Sequence, residues 1–171
     1  MNPFTPSPSK KSVDAVLIGM GAASCLLLLA MERRGWLSGK RIVVIEPCLD
    51  QLPQKTFCFW SSTQDSIQHD LKDVIVDSWS HCEVIRGQSE SMAPYQYHCV
   101  ESSDLWRHAQ RVGERNQVIF IQGNAERVEE NGQLGEVHVA GDVYLSQWIF
   151  DSRPPRFAEM MPHTYHIHQS F

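Results

Sequence analysis

The hydrophobic pattern falls into short apolar runs separated by turn residues. Val13–Ile18 is a compact, β-branched run that fits a strand buried on both faces. Gly19-Met20-Gly21 follows as a tight turn. Residues 22 to about 36 then carry an apolar stretch closing on Glu32, Arg33 and Arg34, which predicts a helix with basic charge near its C-terminus. Gly35 and Gly39 bracket its exit, and Arg41–Glu46 reads as a second buried strand. The next half-chain is less regular. Thr56–Trp60 is an aromatic strand or a packed loop, with further extended pieces near Val74–Trp79, Cys82–Ile85 and Tyr95–His98. Ser102-Ser103-Asp104 opens a helix over Leu105 to about Val112, with serine as its N-cap. A strand at Gln117–Ile121 precedes three antiparallel pieces, Ala125–Glu129, Leu134–Val139 and Asp142–Tyr144, turned at Asn131-Gly132 and Gly141-Asp142. Trp148–Phe150 is a separate last strand, ending at Asp151-Ser152-Arg153.

The apolar run from Ala15 to Met31 has three readings. Its length sits at the lower edge of a membrane span, and Lys10 and Lys11 before it resemble the start of a signal peptide. Asp14 at its mouth and the continued Leu-Leu-Leu-Leu-Ala after Cys25 weigh against export. The change of character at Gly19 favours a strand, a glycine turn and a helix. With the second strand this makes a βαβ unit closed by Glu46. Such a unit binds dinucleotides for physical reasons. Gly19 permits the sharp turn, and Gly21 lets the backbone approach a pyrophosphate. The helix N-terminus, from Ala22, presents free N–H groups, and Glu46 is placed to accept hydrogen bonds from a ribose. Ser24 stands where the third glycine of the pattern would be.

The order of elements predicts an α/β fold: Rossmann-like, FAD/NAD(P)-binding, with a parallel sheet and a small antiparallel β meander. Residues 1–12, with three prolines and three serines, read as a disordered leader, and 13–171 as the nucleotide-binding part. The 171 residues carry a formal charge of -5, which does not attract nucleic acid. Five cysteines with no C-x-x-C spacing suit reduced thiols in the cytoplasm rather than a secreted disulfide framework. His163, His166 and His168 do not make a zinc site without a fourth ligand, so no metal is expected. Ser103, Asp104 and His108 share one short helix without a nucleophile elbow and do not make a hydrolase triad.

Five segments, in order, carry a resemblance. They are DAVLIGMGAASCLLLLA (14–30) with Glu46; KTFCFW (55–60), where relatives usually have Trp in place of Phe57; ESSDLWRHA (101–109); WIFDSRPP (148–155); and HQSF (168–171). Together they resemble the lycopene cyclase family, specifically its bacterial β-cyclase type. The resemblance implies FAD, in reduced form with NAD(P)H as reductant, and redox-neutral cyclisation of the ends of lycopene in carotenoid biosynthesis. It carries cofactor contact to Gly19, Gly21, Ala22 and Glu46, and to Arg153 at the nucleotide. It implies an apolar polyene substrate and peripheral membrane contact. Relatives continue after Phe171 with a substrate domain that holds the carboxylate acid. The fold is therefore expected to be incomplete and inactive alone, with no catalytic residue assignable in this chain. Two alternatives stay open: another FAD-dependent oxidoreductase, of hydroxylase or geranylgeranyl-reductase type, or a non-catalytic nucleotide-binding remnant.

Overall fold

The computed structural model describes residues 9–52, 54–85 and 87–153. Its main sheet has six strands in the order β8-β2-β1-β11-β10-β9. These are β1 (Ser9–Ile18), β2 (Ile42–Glu46), β8 (Ile119–Gln122), β9 (Arg127–Asn131), β10 (Leu134–Val139) and β11 (Asp142–Asp151). β8, β2, β1 and β11 are mutually parallel, and the β9–β10 meander adds antiparallel strands at one edge. Helices α1 (Ala22–Arg33) and α3 (Ser102–Arg115) pack against one face and against each other. Between β2 and α3 the chain leaves the main sheet. It forms β3 (Thr56–Ser61), α2 (Ser66–Leu71), β4 (Ile75–Trp79), the hairpin β5–β6 (His81–Ile85 and Gln88–Ser91) and β7 (Gln96–Glu101). β3, β7 and β4 make a small antiparallel sheet.

The two faces of the main sheet carry separate cores. Ala15, Leu17, Ile42 and Val44 meet Leu28 and Leu29 of α1 and Leu105, Trp106, Ala109 and Val112 of α3. Val16, Ile18, Val43 and Ile45 meet Val137, Val139 and Tyr144 on the other side. This alternation along β1 and β2 explains why their sequence is continuously apolar: both faces are covered. Burial in α3 recurs at Leu105, Ala109 and Val112, a helix with one apolar stripe.

Several boundaries differ from the sequence reading. β1 begins at Ser9, so Ser9–Ser12 are strand residues rather than leader. They pair with Asp142–Leu145 of β11, and Lys10 and Lys11 reach Glu136 (3.1 Å) and Asp142 (2.6 Å). Residues 1–8 lie outside the described residues. α1 stops at Arg33 rather than near Trp36, because Gly35 takes a left-handed conformation (φ +68°). The Trp36 and Gly35 amides then donate to the Met31 and Glu32 carbonyls, both at 2.8 Å, which closes the helix in a Schellman motif. α3 starts at Ser102, with Glu101 at the N-cap; the Ser102 hydroxyl accepts the Lys55 N–H instead (2.7 Å). The expected separate pieces at 142–144 and 148–150 are one strand. α2 and β6 were not anticipated.

Candidate functional site

Strand β1 delivers the chain to Gly19, whose amide donates to Ile45 O at the end of β2 (2.8 Å). Gly19 has φ +85°, and a Cβ there would lie 2.7 Å from Ser152 Oγ. Both the conformation and the close approach require glycine. Ser152, just past β11, caps the turn from the opposite side. Its amide and hydroxyl both donate to Ile18 O (2.9 and 2.8 Å), and its hydroxyl receives Ser24 Oγ–H (3.3 Å). Ser24 is buried, so the serine at the third glycine position has a partner.

Gly21 is the N-cap of α1, with extended backbone (φ -75°, ψ -176°). No side chain caps this helix and its first turn holds no acidic residue. Its leading amides, which have no intrahelical acceptor, face outward, and the helix dipole adds positive potential there. Nothing lies within 4 Å of a Cβ built on Gly21. The space that a side chain would fill is open to an anion held by backbone N–H groups.

Glu46 ends β2 beside this turn. Its Oε2 accepts the Met20 N–H (2.8 Å) and its Oε1 the Cys48 N–H (3.1 Å), while its carbonyl accepts the Gly123 N–H (3.0 Å). The carboxylate is half-buried and each oxygen keeps a lone pair for a hydroxyl donor. Met20, Gly21, Glu46, Lys55, Phe57 and Trp106 are among the residues lining one cavity of about 330 Å³. Cys25 also borders it; burial first, then the charge of Glu46, pushes its thiol up to about 12.

The expected site residues thus divide. Gly19 shapes the turn, and Gly21, Ala22 and Glu46 line the cavity. Arg153 turns elsewhere. Its Nε and Nη2 donate to Asp151 (2.9 and 2.6 Å) and its Nη1 to Ala125 O (2.8 Å). It is not among the residues that line the cavity. Those bonds hold the Asp151 carboxyl below its ordinary range. Asp104 pairs with Arg107 (3.0 Å), and among the described residues no group of side chains could hold a metal ion. His163, His166 and His168 lie outside the described residues. No described helix is long and apolar enough to cross a membrane. Sequence reasoning missed Ser152 as the partner of the turn, although its segment was singled out. It also missed Lys55 and Trp106 as cavity walls, although both lie in segments that carry the family resemblance.

A glycine turn, an uncapped helix N-terminus and an acidic residue on the second strand, set in this sheet order, define a Rossmann-like α/β fold of the dinucleotide-binding type. Solved structures superpose on this fold. The anhydrotetracycline hydroxylase OxyS from Streptomyces rimosus matches with a TM-score of 0.61 and 16% identity, over 82% of this chain and 31% of its own. The p-nitrophenol 4-monooxygenase PnpA from Pseudomonas putida DLL-E4 matches at 0.58 and 13%, over 85% and 42%. CtdE, in complex with FAD, matches at 0.54 and 11%, over 82% and 38%. The chain therefore spans less than half the length of these proteins. Comparison with curated protein sequences gives no match. The chain belongs to the lycopene cyclase protein family, whose sequence pattern matches residues 14–171.

Proposed function

We propose that this chain is the nucleotide-holding part of an FAD-dependent lycopene β-cyclase of carotenoid biosynthesis. Family membership supports the reaction. The observation that carries the nucleotide role is the meeting of Glu46 with the glycine turn, through the Met20 amide at 2.8 Å, on the rim of one cavity. The residues present fit the ADP half of FAD. The amides at the start of α1 bind its pyrophosphate, the bare Cα of Gly21 admits the close approach, and Glu46 accepts its ribose hydroxyls. Trp106 and Phe57 give the cavity apolar walls, and Lys55 brings a positive charge to its rim. When bound, reduced FAD supplies an electron-rich ring that favours positive charge on the reacting carbons. The substrate is an apolar polyene, taken up by peripheral contact with a membrane. No residue of this chain is assigned as the proton donor.

The test is expression of the complete native protein in lycopene-accumulating bacteria. β-Carotene formed without net consumption of NAD(P)H is the expected result. An oxygenated product formed with stoichiometric NAD(P)H consumption would replace this reading with an FAD-dependent hydroxylase; OxyS is named as a hydroxylase and PnpA as a monooxygenase.

A further inference from the structure

Two of the five cysteines face each other across adjacent strands. Cys58 of β3 and Cys99 of β7 are register partners in an unbroken antiparallel ladder from Thr56–Glu101 to Ser61–Gln96. The Ser102 amide donates to Lys55 O (2.8 Å), which makes Lys55–Ser102 a hydrogen-bonded pair. Pair types alternate along such a ladder, so three steps on, Cys58–Cys99 is a non-hydrogen-bonded pair, the closer kind. Such pairs have Cα atoms about 4.5 Å apart, at the short end of the roughly 4.4–6.8 Å that a disulfide spans. The side chains share the outward face of the small sheet with Trp60, Tyr97 and Trp79. Cys58 is exposed and Cys99 half-buried, and all five cysteines are free thiols.

We propose that Cys58 and Cys99 are a redox modification site, closing a reversible cross-strand disulfide by exchange with a small disulfide of the glutathione type. Exposed Cys58, as thiolate, attacks one sulfur of the oxidant and releases one glutathione thiolate. Cys99 then loses its proton and attacks Cys58 Sγ, which expels the second glutathione. Two protein thiols are oxidised and one small disulfide is reduced to two thiols, so electrons and protons balance. The Cys99 thiol is raised above its ordinary value, by burial first and by Cys58 after it, which suits it to the second step rather than the first. A bridge with one solvent-exposed sulfur stays readily reducible. It would tie β3, which carries Phe57 into the nucleotide cavity, to β7, which leads into Ser102 on the cavity wall. The other exposed thiols have no such partner: Cys82 faces Glu90 across its hairpin, and Cys48 sits in the turn after β2.

The experiment is incubation of the intact native protein with glutathione disulfide, then alkylation, non-reducing digestion and mass spectrometry. A Cys58–Cys99 cross-linked peptide that dithiothreitol removes is expected. Cys99→Ser should trap a glutathione adduct on Cys58, and Cys58→Ser should leave Cys99 largely unmodified. Each variant exchanges one sulfur for oxygen, at exposed Cys58 or half-buried Cys99, and its near-native melting temperature is checked first. Adducts spread over Cys48, Cys58 and Cys82 without the cross-link, or a cross-link that persists through dithiothreitol in the folded protein, would overturn the proposal.

Discussion

Alanine at Gly19 should weaken the fold, whereas alanine at Gly21 should spare it and damage nucleotide binding. Gly19 has φ +85°, a region that costs an L-residue about 1–2 kcal/mol. Its new methyl would also sit 2.7 Å from Ser152 Oγ. That hydroxyl would have to leave Ile18 O, to which it donates at 2.8 Å, at a cost of about 1 kcal/mol. Together these give about 2–3 kcal/mol, or a melting temperature lower by roughly 5–10 °C for a chain of this size. Gly21 has an extended backbone and open space at its Cβ position. Alanine there strains nothing, and the reduced entropy of the unfolded chain offsets small losses, so stability should stay within about 0.5 kcal/mol. The same methyl stands where a phosphate would meet the α1 amides. Loss of one charge-assisted hydrogen bond, about 1.5–3 kcal/mol, weakens binding roughly 10- to 150-fold.

Thermal melts of both variants and calorimetric titration of the intact protein with ADP and FAD separate the two effects. Ser152→Ala supplies the internal control. In that background the steric share of the Gly19→Ala penalty disappears and only the backbone share remains. A Gly21→Ala protein that binds ADP like the native one would refute the placement of the phosphate. A Gly19→Ala protein that melts like the native one would refute the account of the turn.

Glu46→Gln should lower both stability and ADP affinity. Its amide nitrogen must face the Met20 or the Cys48 N–H, which leaves a donor without an acceptor at about 1–3 kcal/mol; urea midpoints and titrations read the two losses. Asp151 has its folded pKa lowered from the ordinary 3.8, chiefly by its hydrogen bonds from Arg153. A lowered folded value means that its contribution is whole above that ordinary value and is lost as pH falls through the lower one. The melting difference between native protein and Asp151→Asn should therefore be largest near neutrality and close below about pH 4; a constant difference across that range would refute it. Cys25, with its thiol pushed up to about 12, should resist iodoacetamide at mildly alkaline pH while Cys48 and Cys82 react, as peptide mapping would read. Trp106→Ala, at a side chain 5% exposed between α3 and the sheet, should cost about 3–5 kcal/mol in denaturant melts.

The βαβ unit was legible because each of its parts is signalled locally. The apolar runs, the glycines, the terminal Arg33 and the acidic Glu46 all follow from short-range physics. What escaped was specified at a distance. Ser9–Ser12 are polar and exposed, and they become strand only because the leading half of β11 offers a parallel edge. Lys10–Glu136 and Lys11–Asp142 add their ion pairs across more than half the chain. The two pieces expected over β11 leave out residues 145–147, which include polar Ser146 and Gln147. Ser146 is buried, yet its hydroxyl donates to Trp148 O (2.9 Å) and accepts the Trp148 N–H (3.1 Å), so a local loop of hydrogen bonds satisfies it without ending the strand. Strands β4 and β5 were legible, but β6 is exposed at every residue and shows no apolar alternation to read.

The departure from the glycine pattern at Ser24 and the serine at Ser152 form one structural feature. A third glycine lets a helix come close to the strand beneath it by having no side chain. Here the side chain is kept and given a partner: Ser24 donates to Ser152, and Ser152 donates to the carbonyl of Ile18, the last residue of β1. The hydroxyls link α1, β1 and the end of β11 where α1 presents its free amides. Ser152 also opposes side-chain growth at Gly19, because its Oγ lies 2.7 Å from where a Cβ would sit. The turn is therefore defined from both ends of the described chain. Residues 19–24 set its path, and residues 151–153, brought alongside by the parallel pairing of β1 with β11, hold it there.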